Sequence, residues 1–259
     1  MEQIEKALAR AREMRAGNLT GLRSNAYVAL SANGLVPSYT ETLVARGDHR
    51  RMMKQRLVAD SFDHPVSDIY GLLRTQVLQR MKKHNMSTLA VTGPEFGSGV
   101  TTTAANLAIA IALDVNQTVL LVDLNLRSPT IHEKFGFQPR AGIDDYLSGE
   151  KQLKECLVSP GIPRLVVLPA RAPKGETAEI VSSPRMTALA KELHSRYADR
   201  IIIYDTPPLL TCGDTLGFLP NVDAVLLVAR SGRTTKAELD RSAHLLGNKT
   251  LVGTLLNAH

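Results

Sequence analysis

The chain has 259 residues, of which 44% are hydrophobic and 22% charged, and 31 basic against 25 acidic side chains give a formal charge of +6. This composition is typical of a globular protein with a large core and excludes a disordered chain. Two cysteines are too few for a disulfide framework, and no Cys/His spacing indicates zinc. The N-terminus lacks the apolar region of a secretory signal and no apolar run is long enough to span a membrane, so we expect a cytoplasmic protein.

Much of the positive charge lies early in the chain, between residues 46 and 56 and between residues 80 and 83. Two interpretations remain open: a solvated face, or a surface that meets acidic lipid headgroups, an acidic partner or nucleic acid. Aromatic residues make up only 4% of the chain and tryptophan is absent. Because bases stack on aromatic side chains, we expect no nucleic-acid partner.

The first predicted element is a short amphipathic helix over residues 3–15. Its apolar residues recur at helical spacing and are Ile4, Leu8, Ala11 and Met14. A polar stretch rich in turn-forming residues follows. We interpret residues 1–60 as an N-terminal arm that packs on the core or on a partner, with a partly disordered leader as the alternative, and residues 61–259 as the main domain.

From residue 65 onward, a predicted helix over residues 66–83 precedes alternating strands and helices. Strands are predicted at residues 87–92, 118–124, 164–169, 201–205, 224–229 and 251–256, and helices at 102–113, 183–197 and 236–246. The runs are continuously apolar, which is typical of strands buried on both faces of a parallel sheet. The sequence therefore predicts an α/β fold in three layers, with a mostly parallel central sheet between helices.

A glycine-rich segment follows the first of these strands and precedes an alanine-rich helix. Glycines allow backbone N–H groups to turn inward, and the positive end of the helix dipole favours an anion. This context predicts a phosphate-binding loop for ATP or ADP, made of Gly97, Ser98, Gly99, Val100, Thr101 and Thr102. The Thr101 hydroxyl would face Mg²⁺, whereas Val100 stands where such a loop carries lysine. Taken alone, the segment also fits a structural tight turn.

Two aspartates, Asp123 and Asp205, follow apolar strands at the ends of which an α/β sheet binds its ligands. A carboxylate in such low-dielectric surroundings is unfavourable unless a cation compensates it, and Mg²⁺ with phosphate is the common solution. A single aspartate there is more often a helix cap. Two of them beside a glycine-rich loop predict a nucleotide–magnesium site, with Thr101 as the third metal ligand.

In this order, three motifs resemble those of the bacterial tyrosine kinases (BY-kinases) of capsule and exopolysaccharide synthesis, P-loop ATPases with a deviant phosphate loop. The motifs are the loop at residues 96–101, Asp-x-Asn-x-Arg-x-Pro at residues 123–129 and Asp-Thr-Pro-Pro at residues 205–208. The resemblance covers about residues 62–257. It implies a P-loop NTPase fold, ATP and Mg²⁺ as ligands, and Asp123, Asp205 and Arg127 as catalytic residues. It also implies a membrane polysaccharide co-polymerase, or chain-length regulator, as partner, and a peripheral position at the inner face of the membrane.

The sequence departs from the family pattern within the site. The loop lysine is replaced by Val100, and the second acid of the second motif by Asn125. Loss of one preorganised charged donor lowers a phosphoryl-transfer rate by about 10²–10³. Binding should suffer less, because the backbone amides remain. We therefore expect a degenerate kinase, with an active or partner-activated tyrosine kinase as the alternative and a positioning ATPase of the same superfamily as a weaker one.

Two further departures concern assembly. BY-kinases carry a Glu-x-x-Arg-x-x-Arg helix that contacts the neighbouring subunit, and the matching residues here are Asp68, Gly71 and Arg74. Because one arginine is missing, we expect only weak homo-oligomerisation. The last tyrosine is Tyr204, so we also expect no tyrosine-rich tail of the kind that family kinases phosphorylate.

Overall fold

The computed structural model describes residues 43–45, 47–61, 64–171, 176–196 and 200–258. The predicted amphipathic helix at residues 3–15 lies outside the described residues. The elements in chain order are β1 (Leu43–Val44), α1 (His49–Lys54), α2 (Pro65–Lys83), β2 (Thr88–Thr92), α3 (Val100–Ala112), β3 (Thr118–Asp123), α4 (Ile131–Phe135), α5 (Ile143–Ser148), α6 (Leu153–Cys156), β4 (Val158–Ser159), β5 (Leu165–Leu168), α7 (Thr177–Val181), α8 (Pro184–Arg196), β6 (Arg200–Asp205), α9 (Asp214–Phe218), a 3₁₀ turn (Leu219–Asn221), β7 (Ala224–Arg230), α10 (Lys236–Leu246) and β8 (Thr250–Asn257).

Within the described residues the strands form one sheet in the order β1-β4-β5-β3-β6-β2-β7-β8. Neighbouring strands from β5 to β8 are parallel, and β4 is antiparallel to β5. Crossover helices connect the parallel strands and cover both faces of the sheet. The prediction of a mostly parallel sheet in a three-layer α/β/α fold is therefore confirmed.

The sheet has a hydrophobic core on each face, and the side chains of each strand point alternately into one core and the other. In β3, Leu121 points to the core formed with α2 and α3, whereas Leu120 and Val122 point to the core formed with α5, α6 and α8. Because successive side chains point to opposite faces, a strand buried on both sides must be apolar at every position. That requirement accounts for the continuous apolar runs in the sequence.

The predicted strands and long helices are all present, with ends that differ by one or two residues. The predicted helix at residues 236–246 coincides with α10, and the predicted helix at residues 66–83 begins one residue earlier, at Pro65. Proline is favoured in the first helical turn because it lacks the N–H that would be unpaired there. No described helix is both long and apolar enough to cross a membrane.

Residues 47–61, which the sequence analysis grouped with the arm, pack on the described domain. Met52, Leu57 and Ala59 are buried in the core that contains α2 and α3. The buried Asn106 of α3 fixes this segment: its Oδ1 accepts hydrogen bonds from the N–H groups of Val58 (2.8 Å) and Ala59 (3.0 Å). The domain boundary near residue 60 stays a prediction, but the segment that precedes it contributes to the core.

Candidate nucleotide site

The loop between β2 and α3 has the backbone form of a phosphate-binding loop. Gly97 and Gly99 have φ angles of +80° and +90°, which side-chain-bearing residues rarely adopt. Gly99 is the N-cap of α3 and provides no side-chain capping bond, so the first N–H groups of the helix face the loop. The Asn257 Nδ2 group donates to the Ser98 carbonyl at 3.0 Å and thereby ties the loop to the last strand. The loop is thus preformed around a helix N-terminus.

Val100 contributes no polar side-chain group to this loop. Its side chain packs on the apolar core, and its Cγ2 lies 3.0 Å from where a Cβ on Gly93 would stand. The next residue, Thr101, is half-buried and its hydroxyl lies close enough to Asp205 to lower the pKa of that carboxyl. The predicted Mg²⁺ ligand Thr101 therefore faces the carboxylates, whereas the position of the lysine is apolar.

Asp123 and Asp205 lie side by side at the ends of adjacent strands. They are directly paired in the register of β3 and β6, and both are fully buried. The Asp123 carboxylate accepts hydrogen bonds from the N–H groups of Asn125 (3.1 Å) and Ile131 (3.2 Å). Among the described residues, no hydrogen bond of ordinary geometry reaches either carboxylate oxygen of Asp205, although the Thr101 hydroxyl approaches it. The ionised Asp205 carboxylate is therefore a buried negative charge that a cation would stabilise.

The two carboxyl groups hold protons unusually tightly. Burial raises the pKa of Asp123 well above its ordinary value, and the facing carboxylate of Asp205 raises it further. Burial also raises the pKa of Asp205 to about 7, against lowering effects of Thr101 and Lys134. Two like charges in one buried site disfavour simultaneous ionisation. A divalent cation would offset both the cost of burying the negative charges and the repulsion between the two carboxylates.

The residues of this site fit Mg²⁺ bound together with phosphate, although they do not form a complete metal site by themselves. Within the described ranges, no group of three or more His, Cys, Asp or Glu side chains is arranged to hold a metal. Two carboxylates with a threonine hydroxyl match the way in which Mg²⁺ binds, through few protein oxygens with phosphate and water completing its shell. When bound, the ion would compensate phosphate charge.

A cation that the sequence analysis did not single out lies within electrostatic range of Asp205. Lys134, on α4, is half-buried, and burial lowers the pKa of its ammonium group while the carboxylate of Asp205 opposes that effect. No local pattern identifies this lysine, because charged residues on a short amphipathic helix are usually solvated. The packing of α4 beside β6, which local sequence does not encode, sets this electrostatic range, and the two groups make no ion pair within 4.0 Å.

Arg127, predicted to assist catalysis, makes a bidentate ion pair instead of facing the carboxylate pair. Its Nε and Nη2 atoms lie 3.1 Å from the two oxygens of Asp214, which is buried at the start of α9. A fork-shaped guanidinium matches a carboxylate in this geometry. The pair links the second motif to the helix that follows Asp-Thr-Pro-Pro. A catalytic role of Arg127 stays a prediction.

Backbone and threonine-hydroxyl hydrogen bonds join the third motif to the end of β2, where the phosphate loop begins. Thr206 donates its N–H and its hydroxyl to the Val91 carbonyl (3.1 and 3.0 Å), and the Leu209 N–H donates to the Gly93 carbonyl at 2.9 Å. The Thr92 hydroxyl donates to the Pro207 carbonyl at 3.0 Å. These bonds fix Asp205 relative to the loop, so the two motifs form one rigid site.

Comparisons with known proteins find tyrosine-protein kinases among the relatives of this chain. The chain is 31% identical over 194 residues to the tyrosine-protein kinase YwqD of Bacillus subtilis, which covers 74% of this chain and 80% of that protein. It is 29% identical to the putative tyrosine-protein kinase EpsB of Ralstonia solanacearum over 92% of this chain and 31% of that protein. The chain thus spans about a third of the length of EpsB. No protein-family model matches the chain.

Solved structures that share the fold of this chain include a tyrosine kinase domain. The kinase domain of the Escherichia coli tyrosine kinase ETK superposes with a TM-score of 0.72 at 28% identity, over 78% of this chain and 79% of that one. The septum site-determining protein MinD of Pyrococcus horikoshii, solved with Mg-ADP, shares the fold at 18% identity over 66% of this chain and 69% of that one, with a TM-score of 0.57. By its relation to YwqD, its fold and its carboxylate pair beside a glycine loop, the chain belongs to the family of bacterial tyrosine-protein kinases.

Proposed function

We propose that this chain is a BY-kinase-like protein of exopolysaccharide or capsule biosynthesis whose ATP site is degenerate. The observation that carries the proposal is the combination, in one site, of a preformed glycine loop and a buried carboxylate pair with an apolar Val100. The first two features favour binding of a Mg²⁺–nucleotide. The third removes the ammonium group that would stabilise charge on the transferred phosphoryl group.

Nucleotide binding and phosphoryl transfer should respond differently to the loss of the lysine ammonium group. Binding draws on several backbone N–H groups and on the helix dipole, so removal of one charged contact weakens it by about 1.5–3 kcal/mol. Phosphoryl transfer depends almost entirely on electrostatic clamping in the transition state. Asn125 removes a second acid from the site, and an amide cannot act as a carboxylate base. Weak binding with negligible turnover is therefore the expected combination.

The proposed partner is a membrane polysaccharide co-polymerase, the chain-length regulator implied by the resemblance. In that setting the protein would lie in the cytoplasm at the inner face of the membrane and serve as a scaffold of the assembly complex. The exposed basic residues Arg50, Arg51 and Lys54 support such a location, because acidic headgroups attract clusters of basic side chains.

A partner-activated tyrosine kinase is the second candidate. It is supported by the proximity of Asp123, Asp205 and Thr101, because a cation supplied by another protein would restore the missing charge beside them. A contribution from a partner of this kind is known to raise phosphoryl-transfer rates in GTPases by about 10³–10⁵.

The deciding experiment measures equilibrium binding of ATP and ADP with and without Mg²⁺, followed by phosphorylation assays with and without the cytoplasmic segment of the membrane partner. We expect weak binding and no phosphotyrosine in either assay. Phosphotyrosine that forms only with the partner would support the second candidate. Turnover of roughly 1–100 s⁻¹ by the chain alone, the range of ordinary kinases, would contradict the proposal.

A further inference from the structure

Two side chains from neighbouring strand ends bind consecutive carbonyl groups of the phosphate loop. Arg230 and Asn257 are the last residues of β7 and β8 and are paired in the register of these strands. The Asn257 Nδ2 group donates to the Ser98 carbonyl at 3.0 Å, and Arg230 Nη1 donates to the Gly97 carbonyl at 3.5 Å. Both contacts therefore come from strands other than β2, which the loop follows.

These contacts determine the direction of two amide groups in the loop. A trans peptide unit is planar, so the N–H group of each residue points opposite to the carbonyl group of the residue before it. The Gly97 carbonyl is held by Arg230, so the Ser98 N–H points away from β7. The Ser98 carbonyl is held by Asn257, so the Gly99 N–H points away from β8. Successive N–H groups with a shared direction form an anion-binding nest.

Both side chains are fixed at the ends of their strands. The Arg230 N–H donates to Thr234 Oγ1 at 2.8 Å, and the Asn257 carbonyl accepts from the Ser231 N–H at 2.7 Å. Asn257 is half-buried and lies so close to the loop that a Cβ on Gly99 would stand 2.1 Å from its Nδ2 atom. Glycine at position 99 therefore leaves the space that the Asn257 amide occupies.

Arg230 also brings positive charge to a loop that has no lysine. The position of the lysine is Val100, whose side chain packs on the core. Within the part of the chain that the structure describes, Arg230 forms no ion pair within 4.0 Å. Its guanidinium lies against the loop, where positive charge favours an anion.

We propose that Arg230 and Asn257 are positioning residues, which hold the phosphate loop from outside so that the Ser98 and Gly99 amides face the phosphate groups of a nucleotide. Neither side chain needs to touch the nucleotide for this role. The identity of the anion rests on the proposed nucleotide-binding function, whereas the orientation of the loop is a property of the protein without nucleotide.

The first test measures order parameters of the loop amides by ¹⁵N relaxation in the protein without nucleotide. We expect Ser98 and Gly99 to be rigid, with order parameters of roughly 0.85, and to fall below about 0.6 in Asn257→Leu. Arg230→Met should loosen Ser98 more than Gly99, because it releases only the Gly97 carbonyl. Thermal unfolding of each variant establishes that it is folded, and Arg230→Met tests the proposal by itself if Asn257→Leu does not fold.

Two exposed residues beside these strands provide matched controls. Arg233→Met removes one positive charge in the turn after β7, and Asn248→Leu removes one amide in the turn before β8. Neither change should alter the order parameters of the loop or the affinity for ATP. Arg230→Lys keeps the charge and a donor and should behave like the natural protein.

The second test measures ATP affinity by isothermal titration in the presence of Mg²⁺. We expect Asn257→Leu and Arg230→Met each to weaken binding about 3–10-fold, the size of one hydrogen bond. Because the two side chains act on adjacent peptide units of one loop, the double variant should lose less than the product of the two single losses.

Unchanged order parameters in both variants would overturn the proposal. Weaker ATP binding with unchanged order parameters would also overturn it, because the side chains would then contact the nucleotide rather than position the loop. Mobile amides with unchanged ATP affinity would contradict the role in binding. Failure of the natural chain to bind ATP would contradict the proposed function alone, because the relaxation measurements contain no nucleotide.

Discussion

Val100 and Asn125 change the charge of the site without disturbing its backbone. Val100 begins α3 and packs on the core, and Asn125 follows β3 with its backbone N–H bound to Asp123. The helix N-terminus, the glycines and the carboxylate pair are all retained around them. Restoration of the two missing charges should therefore be possible by substitution alone.

We predict that Val100→Lys tightens ATP binding by about 1.5–3 kcal/mol, or roughly 10–150-fold, because it returns one charge-assisted contact. Isothermal titration measures this, with Val100→Met as a control of similar length and no charge. Addition of Asn125→Asp should then raise phosphoryl transfer above the level of the single variant. No gain in either quantity would mean that the loop is closed to nucleotide for another reason.

The carboxylate pair predicts an unusual dependence of stability on pH. Because the pKa of Asp205 is raised to about 7, the folded state binds a proton between about pH 4 and pH 7 that the unfolded state has released. The free energy of unfolding should therefore fall as pH rises through this window when Mg²⁺ and nucleotide are absent. Thermal unfolding from pH 5 to pH 8 measures the slope.

Asp205→Asn should remove much of this slope and stabilise the protein at pH 8, since an amide carries no charge to bury. Asp240→Asn, at an exposed position of α10, should leave the slope unchanged. A natural protein whose stability rises between pH 5 and pH 7 would contradict the assignment of raised pKa values to the pair.

The loop and α2 offer two glycines with opposite expected effects. A Cβ at Gly99 would stand 2.1 Å from Asn257 Nδ2, on backbone with a φ of +90°, whereas a Cβ at Gly71 would meet no atom within 4 Å. Gly99→Ala should lower the free energy of unfolding by about 1–3 kcal/mol and weaken nucleotide binding. Gly71→Ala should raise stability by up to about 1 kcal/mol through helix propensity. Urea unfolding measures the free energy of unfolding of both variants. Equal changes in the two variants would refute this account of the loop.

Asn106 links α3 to the segment at residues 55–59. Its Oδ1 accepts from Val58 and Ala59, and its Nδ2 donates to the Arg56 carbonyl at 2.8 Å. Asn106→Leu would leave these buried groups unpaired, so we predict a loss of at least about 2 kcal/mol and earlier proteolytic cleavage near Arg56. Asn116→Leu, in the turn before β3, is the exposed control. Unchanged cleavage would show that other contacts hold the segment.

Two segments in the first third of the chain, α2 and the N-terminal arm, are the candidates for assembly of the full chain. The α2 helix leaves Ile69 and Leu72 exposed, but the guanidinium of Arg74 donates to the Ala110 carbonyl at 3.1 Å within the same chain. An arginine engaged in this way contributes less to an intermolecular ion pair. The face of Ile4, Leu8, Ala11 and Met14 lies outside the described residues, and its role as a contact stays a hypothesis.

We predict that self-association through α2 is weak and that the N-terminal arm governs assembly. Sedimentation should show a smaller assembly, or none, for a chain that lacks residues 1–38 of the arm and begins at Tyr39, a start that retains β1 and the buried Met52 and Leu57. Arg74→Ala should leave the assembly of the full chain unchanged. A dimer or ring that survives removal of the arm and dissociates on Arg74→Ala would contradict this prediction.

Local patterns were sufficient to predict the six longer strands, the glycine loop and the strand ends that carry Asp123 and Asp205, whereas the two-residue strands β1 and β4 and the strand order were not predicted. Periodicity and glycine content act over a few neighbouring residues, and parallel strands bring their carboxyl ends to one edge. Three long-range arrangements could not be predicted: Lys134 within electrostatic range of Asp205, Arg127 on Asp214 and Asn106 on residues 56–59. Each joins residues tens of positions apart, through short helices or loops whose directions are set by packing against the sheet. A polar side chain at such a position looks the same in the sequence whether it is solvated or placed against a buried charge.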